Sequence, residues 1–232
     1  MITPWPGSQR GSFQLDWLDS HHTFSFGDFY DPAKMGFRHL RVLNEDHIAP
    51  SGGFPPHPHR DMEIFSYLAA GELEHRDSLG HTARIAPGKA QLMSAGSGIR
   101  HSEYNPSPAN PTHLLQIWLL PRAPGGEPAY QEIAFTPADT ANRLKLLADP
   151  QGAAGAMRIR QDARIYTANL EANKTLPLPL APKESGWLQL ISGALTLGQT
   201  QLFAGDAAAI TDETALSAHA TAPSEFLWFT LA

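Results

Sequence analysis

The sequence contains no cysteine. That excludes a disulfide framework, thiolate metal sites and a thiol nucleophile, so any metal must be held by histidine, carboxylate or other oxygen donors. It also lacks a long apolar run. The opening segment MITPWPGSQR reads as neither a secretory signal nor a membrane anchor, and a cytoplasmic protein with no membrane partner is expected. Basic residues are scarce: 17 Lys and Arg stand against 23 Asp and Glu, for a net charge of −6. No Lys/Arg-rich patch offers a nucleic-acid groove, so no nucleic-acid partner is expected.

Helical signals are few as well. Phe13 to Leu18 suits a short helical turn, and Asp139 to Ala148 has apolar residues at helical spacing behind an Asp that can cap them. What is plentiful is glycine and proline, 19 and 20 of the 232 residues, spread between short apolar runs. The runs Met62–Leu68, Gln91–Met93, His113–Leu120, Trp187–Ile191 and Glu225–Leu231 read as strands bounded by turns. Such a pattern predicts an all-β sandwich or barrel.

A weak internal repeat divides the chain. Tyr67 to Leu73 and Ala86 to Leu92 parallel Gln189 to Leu195 and Phe203 to Ala209. In each copy a strand ends at a glycine, a hairpin follows, and a second glycine turn (Gly88, Gly205) opens the next strand. Two β-barrels in tandem account for this.

Ten of the 11 histidines precede residue 114, so the chemistry is expected in the first half. The main constellation is Gly-Phe-Pro-Pro-His57-Pro-His59-Arg-Asp-Met-Glu63. Residues i and i+2 of a strand share a face, so His57 and His59 present two imidazoles together. His101 and Glu103 repeat that spacing after the Gly96-Ser97-Gly98 turn. If the two strands face one another inside a barrel, three neutral nitrogens and a carboxylate converge, a suitable set for a borderline divalent metal with positions left for substrate. Glu63 has the parity of His57 and His59, so it is a ligand in place of Glu103, an orienting group behind a ligand, or a rim residue; parity does not choose. In the second copy the positions equivalent to His57 and His59 are Pro179 and Ala181, and that of His101 is Ala218, one residue from His219. The second barrel is therefore expected to be free of metal.

These residues resemble the amino-terminal cupin of the pirin family. The likeness rests on Gly-Phe-Pro-x-His-Pro-His with Glu63, on Gly-x-Gly-x-x-His-x-Glu, on Leu18 to Pro32, on His75 to Gly80 and on Gly98 to Asn105. It covers about the first 120 residues and is nearest to the bacterial pirin-like proteins with quercetin 2,3-dioxygenase activity. Beyond that segment only the glycine-turn pattern is similar to the family's second cupin. The resemblance implies an all-β bicupin: an N-terminal metal-binding cupin over 1–122, a connecting segment over 123–148, and a C-terminal cupin without metal ligands over 149–232. It implies one metal held by His57, His59, His101 and Glu103, with Glu63 behind the ligands. Iron(II) is the metal it implies first, with copper, manganese, cobalt, nickel and zinc also accepted by related sites.

The activity so implied is cleavage of a flavonol by O2, releasing carbon monoxide and a depside ester. Glu103 would be the catalytic residue that takes the flavonol 3-hydroxyl proton. Phe54, Phe65 and Trp118 are candidate apolar walls for the planar rings. Two alternatives stand beside this reading. One is a non-catalytic metal cupin serving as a redox sensor or protein-interaction module, as resemblance to eukaryotic pirin suggests. The other is a structural zinc cupin with another small-molecule activity, such as isomerisation.

Overall fold

Strands dominate the computed structural model, which describes residues 1–213 and 215–232. In chain order they are β1 (Ile2–Trp5), β2 (Gly11–Leu15), β3 (Leu18–His22), β4 (Leu40–Ile48), β5 (Gly53–His59), β6 (Glu63–Ala70), β7 (Leu73–Asp77), β8 (Thr82–Ile85), β9 (Lys89–Ser94), β10 (Ile99–Tyr104), β11 (Thr112–Leu119) and β12 (Ala129–Ala134). After a one-turn helix, α1 (Pro137–Thr140), come β13 (Lys145–Asp149), β14 (Met157–Arg158), β15 (Ala163–Leu170), β16 (Thr175–Leu178), β17 (Ser185–Leu197), β18 (Thr200–Phe203), β19 (Ala207–Ile210) and β20 (Leu216–Leu231). Among the described residues, no helix is long and apolar enough to cross a membrane.

The chain forms two units, neither contiguous. The histidine-rich unit comprises residues 10–134 with 159–161; the carboxy-terminal unit comprises 1–9, 135–158 and 162–232. In the first, a seven-stranded sheet of order β12-β9-β6-β11-β4-β3-β2 accompanies a four-stranded sheet of order β5-β10-β7-β8. In the second, the path β1-β19-β17-β20-β15-β13-β14 is joined by β16 on β20 and β18 on β17. Its core is apolar, built on Leu188, Leu190, Phe226 and Trp228. His219 lies at the edge of that unit, its Nδ1 3.0 Å from Thr175 Oγ1.

The four repeat glycines adopt matching backbone conformations. Gly71 and Gly193 have φ of 77° and 86°, and Gly88 and Gly205 both have 86°. A Cβ on Gly71 would lie 2.5 Å from the Pro111 carbonyl oxygen, and one on Gly193 would collide with the Pro223 carbonyl. Only glycine combines a left-handed φ with so close a backbone approach.

Several local expectations need correction. Phe13 to Leu18 is no helical turn: β2 and β3 form a hairpin there, Leu15 opposite Leu18, because β3 finds a long partner in β4. Asp139 to Ala148 is not a helix either. The helix is a single turn that starts earlier, and Asp139 closes it by accepting from the Thr136 backbone N–H and hydroxyl, both at 2.7 Å. Leu146 and Ala148 then pair with β15; cross-strand partners outweigh a weak helical period. The span 123–148 is more than a connection. Its β12 extends the histidine-rich sheet along β9, and its β13 belongs to the other unit.

Candidate metal centre

The ligand-bearing strands are neighbours in one sheet, not opposed across a barrel. β5 pairs with β10, so His57 sits directly opposite His101. β5 is the edge of the four-stranded sheet, which is why it carries Pro55, Pro56 and Pro58; an edge strand forgoes ladder donors on one side. His57, His59 and His101 have ring centroids 4.5 to 4.9 Å apart, and a ligand nitrogen from each lies within 4.8 Å of the others.

The protonation of these rings follows from their neighbours. Asp77 accepts from His75 Nε2 at 3.3 Å, which leaves His75 Nδ1 as a lone pair. That nitrogen lies 3.4 Å from His101 Nδ1, so His101 donates there and its Nε2 keeps a lone pair. His101 Nε2 is buried and has no hydrogen-bond partner. In the same way, His57 Nδ1 lies 2.8 Å from the Pro55 carbonyl, an obligate acceptor, so the neutral tautomer of that ring carries its lone pair on Nε2. Burial, then the nearby His57, lowers His59 to about 4. Burial and the surrounding imidazoles lower His101 to about 2. Neutral imidazoles with free lone pairs, one of them otherwise orphaned, fit a divalent transition metal.

Glu103 shares the strand face of His101 but follows a register shift that sets it opposite Phe54. Its carboxylate belongs to a second close set, with His75 and His101. It is wholly buried and receives Gln116 Nε2 at 2.6 Å and Gln91 Nε2 at 2.9 Å, while Ser66 Oγ, 3.4 Å away, gives its one proton to Gln116 Oε1 at 2.9 Å. Burial raises it to about 7 against the pull of these donors. Tyr130 closes the network by donating to Gln91 Oε1 at 2.9 Å.

This cradle comes from one row of residues. Register places His22 opposite Asn44, Asn44 opposite Gln116, Gln116 opposite Ser66 and Ser66 opposite Gln91. Directly opposed residues share a face, so a polar line runs across five strands beneath Glu103. A single strand carries only one or two members of the row; the register between strands assembles it.

Glu63 stands elsewhere. It alternates with Ser66, and its carboxylate accepts from Ser94 Oγ at 2.8 Å and the Arg160 backbone N–H at 3.1 Å. It ties residues 159–161 to the sheet and falls in neither close set of potential ligands.

A cavity of about 470 Å³ extends from the imidazoles, lined by His57, His59 and Glu103 with Phe54, Trp118, Phe26 and Phe13. Trp118 packs edge-on against His59 at 4.8 Å and Phe26 at 5.4 Å. Phe54 and Trp118 thus line the space as anticipated. Phe65 does not: it is fully buried one residue out of phase with Ser66, on the other side of the sheet. The polar wall adds Ser20, His22, Asn44 and Asp46. Full burial pushes the Asp46 carboxyl up to about 7.

Comparison with known proteins gives consistent results. The family model described as Pirin matches residues 7–119, and one described as the quercetinase C-terminal cupin domain matches 146–231, so each unit is a cupin. A protein of Escherichia coli K12 named quercetin 2,3-dioxygenase is 41% identical over 231 residues, covering 100% of this chain and 99% of the relative. A pirin-like protein of Caulobacter vibrioides is 40% identical, covering 98% of each chain. The solved Escherichia coli bacterial pirin YhhW in complex with nickel(II) superposes with a TM-score of 0.95 at 40% identity, over 100% of this chain and 99% of that one.

Proposed function

This chain belongs to the pirin family, and from that premise we propose that it is a metal-dependent dioxygenase that cleaves flavonols such as quercetin. Flavonol plus O2 gives a depside plus carbon monoxide, a sum that balances without another reductant. The observation that supports the reading is a cluster of three imidazoles, His57, His59 and His101, with Glu103 in a second close set that shares His101, beside an aromatic-walled cavity that His57, His59 and Glu103 line.

His57, His59, His101 and Glu103 would hold the metal. Iron(II) is the metal proposed, and the nickel complex of the relative supports a site that accepts several divalent ions. When bound, the metal supplies Lewis acidity to an anionic substrate oxygen and a redox partner for O2. The remaining work belongs to the side chains. Asp77 and His75 keep His101 in the tautomer whose Nε2 is free. Gln116 and Gln91 orient the carboxylate that receives the 3-hydroxyl proton. Phe54, Phe26 and Trp118 sandwich the rings and exclude water from the reacting end.

The test is aerobic incubation with quercetin, following loss of flavonol absorbance and release of carbon monoxide, with elemental analysis of the same preparation. Turnover by wild type that disappears in Glu103→Ala and His101→Ala is expected. Full metal occupancy without turnover across several metals would transfer the reading to a binding or sensor module.

A further inference from the structure

The polar row beneath Glu103 is fully satisfied at one end only. From Gln116 to Gln91 the side-chain amide atoms that face Glu103 are paired: Gln116 Oε1 receives Ser66 Oγ at 2.9 Å, its Nε2 serves Glu103, and Gln91 Oε1 receives Tyr130. From Asn44 outward the pairing stops. Asn44 Oδ1 and His22 Nδ1 are buried without hydrogen-bond partners, on side chains that are each 4% exposed and line the cavity. Buried acceptors in this position call for a donor from something that enters the cavity.

The neighbouring residues fix the polarity of the wall. Ser20 Oγ donates to Asp46 Oδ1 at 2.5 Å. Its single proton is thereby committed, so at the 2.9 Å contact His22 Nε2 must donate to Ser20 Oγ. His22 Nδ1 is buried without a hydrogen-bond partner on a ring that lines the cavity. Asn44 Oδ1 and His22 Nδ1 therefore leave unpaired polar atoms beside Ser20 and Asp46, in a cavity that Phe13, Phe26, Phe54 and Trp118 also line. Strands lie about 4.8 Å apart, which puts Asn44 and His22 roughly 5 and 10 Å from Gln116 across the sheet. A fused two- or three-ring aromatic spans that distance.

We propose that Ser20, His22, Asn44 and Asp46 form a hydroxyl-recognition subsite, which accepts hydrogen bonds from ring hydroxyls of a polyhydroxylated aromatic ligand whose reacting end lies at the imidazoles. The inference rests on the flavonol reading and adds to it a reason for selectivity. A ligand without those hydroxyls leaves the acceptors desolvated and unpaired, whereas one that carries them does not.

Anaerobic calorimetric titration of the nickel-loaded full chain tests this without turnover. The probes are quercetin and 3-hydroxyflavone, which keeps the 3-hydroxyl and lacks the others. Wild type is expected to bind quercetin about tenfold or more tightly than 3-hydroxyflavone, the effect of one lost buried hydrogen bond. In Asn44→Leu that ratio should fall to about threefold or less. His22→Phe keeps the ring packing against Phe13 and Phe26 and removes both nitrogens, so it gives the same reading if Asn44→Leu does not fold. Equal binding of the two probes by wild type, or an unchanged ratio in a folded variant, overturns the subsite and leaves the flavonol reading intact. Binding of neither probe overturns both.

Discussion

Replacing Gln116 with leucine should loosen the metal without unfolding the protein. The side chain is buried and makes the shorter bond to Glu103, 2.6 Å against 2.9 Å from Gln91. Leucine is similar in size but cannot donate. A hydrogen bond to a charged group contributes about 1.5–3 kcal/mol, so the metal-free protein should lose that much stability at pH 8, read as a lower denaturant midpoint at constant slope. Ser66 also loses its best acceptor, but it keeps Glu103 within 3.4 Å, so its share is small. The carboxylate then loses the nearer of its two amide donors, and outer-shell losses of this kind weaken metal binding about 10–100-fold. Competition against a chromophoric chelator measures that directly. The expected order of loss is Gln116→Leu, then Gln91→Leu, then Ser66→Ala, following the distances. A folded Gln116→Leu with wild-type metal affinity would refute the cradle, as would Ser66→Ala costing as much.

Three further outcomes follow from the geometry. His75→Phe keeps the stack on Tyr130, 4.6 Å between centroids, but removes the acceptor that fixes the His101 tautomer; metal affinity should fall about tenfold with little change in melting temperature. Glu45 is buried, which alone would raise its pKa, yet the His113 hydrogen bond and the Arg10 charge hold it at about 2, below its ordinary 4.5. Its contribution is complete above pH 4.5 and is lost as pH falls toward 2, so wild type should lose up to about 3 kcal/mol more than Glu45→Gln over that window; parallel acid-denaturation curves would disprove the pairing. Gly71→Ala meets both a left-handed φ and the Pro111 carbonyl, whereas Gly80→Ala meets only φ of 90° in open space. The first should cost about 1–3 kcal/mol more than the second, roughly 2–4 °C of melting temperature per kcal/mol.

Part of the candidate site was legible from spacing alone, because strand alternation is rigid: His57 shares a face with His59, and His101 with Glu103. The same rule left Glu63 open among ligand, orienting group and rim residue. β5 ends at His59 and β6 begins at Glu63, so the chain turns between them, Asp61 adopting φ of 51°, and parity does not survive a turn. Phe65 failed as a pocket residue for a related reason, since both faces of β6 are buried and hydrophobicity no longer distinguishes inside from outside. The cradle of Gln116, Gln91 and Ser66 and the wall of Asn44 and His22 are properties of register between distant strands, which no single segment encodes. The repeat glycines, by contrast, were visible because a backbone demand is written in one residue type.

The pairing of β1 with β19, Ile2 opposite Ile210, bears on synthesis. β1 must wait for a partner made some two hundred residues later, while most of the histidine-rich unit, residues 10–134, is made in the interval. A nascent chain would thus carry β1 unpaired through most of the synthesis of this chain. Deleting β1 would leave β19 as an open sheet edge on the carboxy-terminal cupin, the kind of edge that invites aggregation.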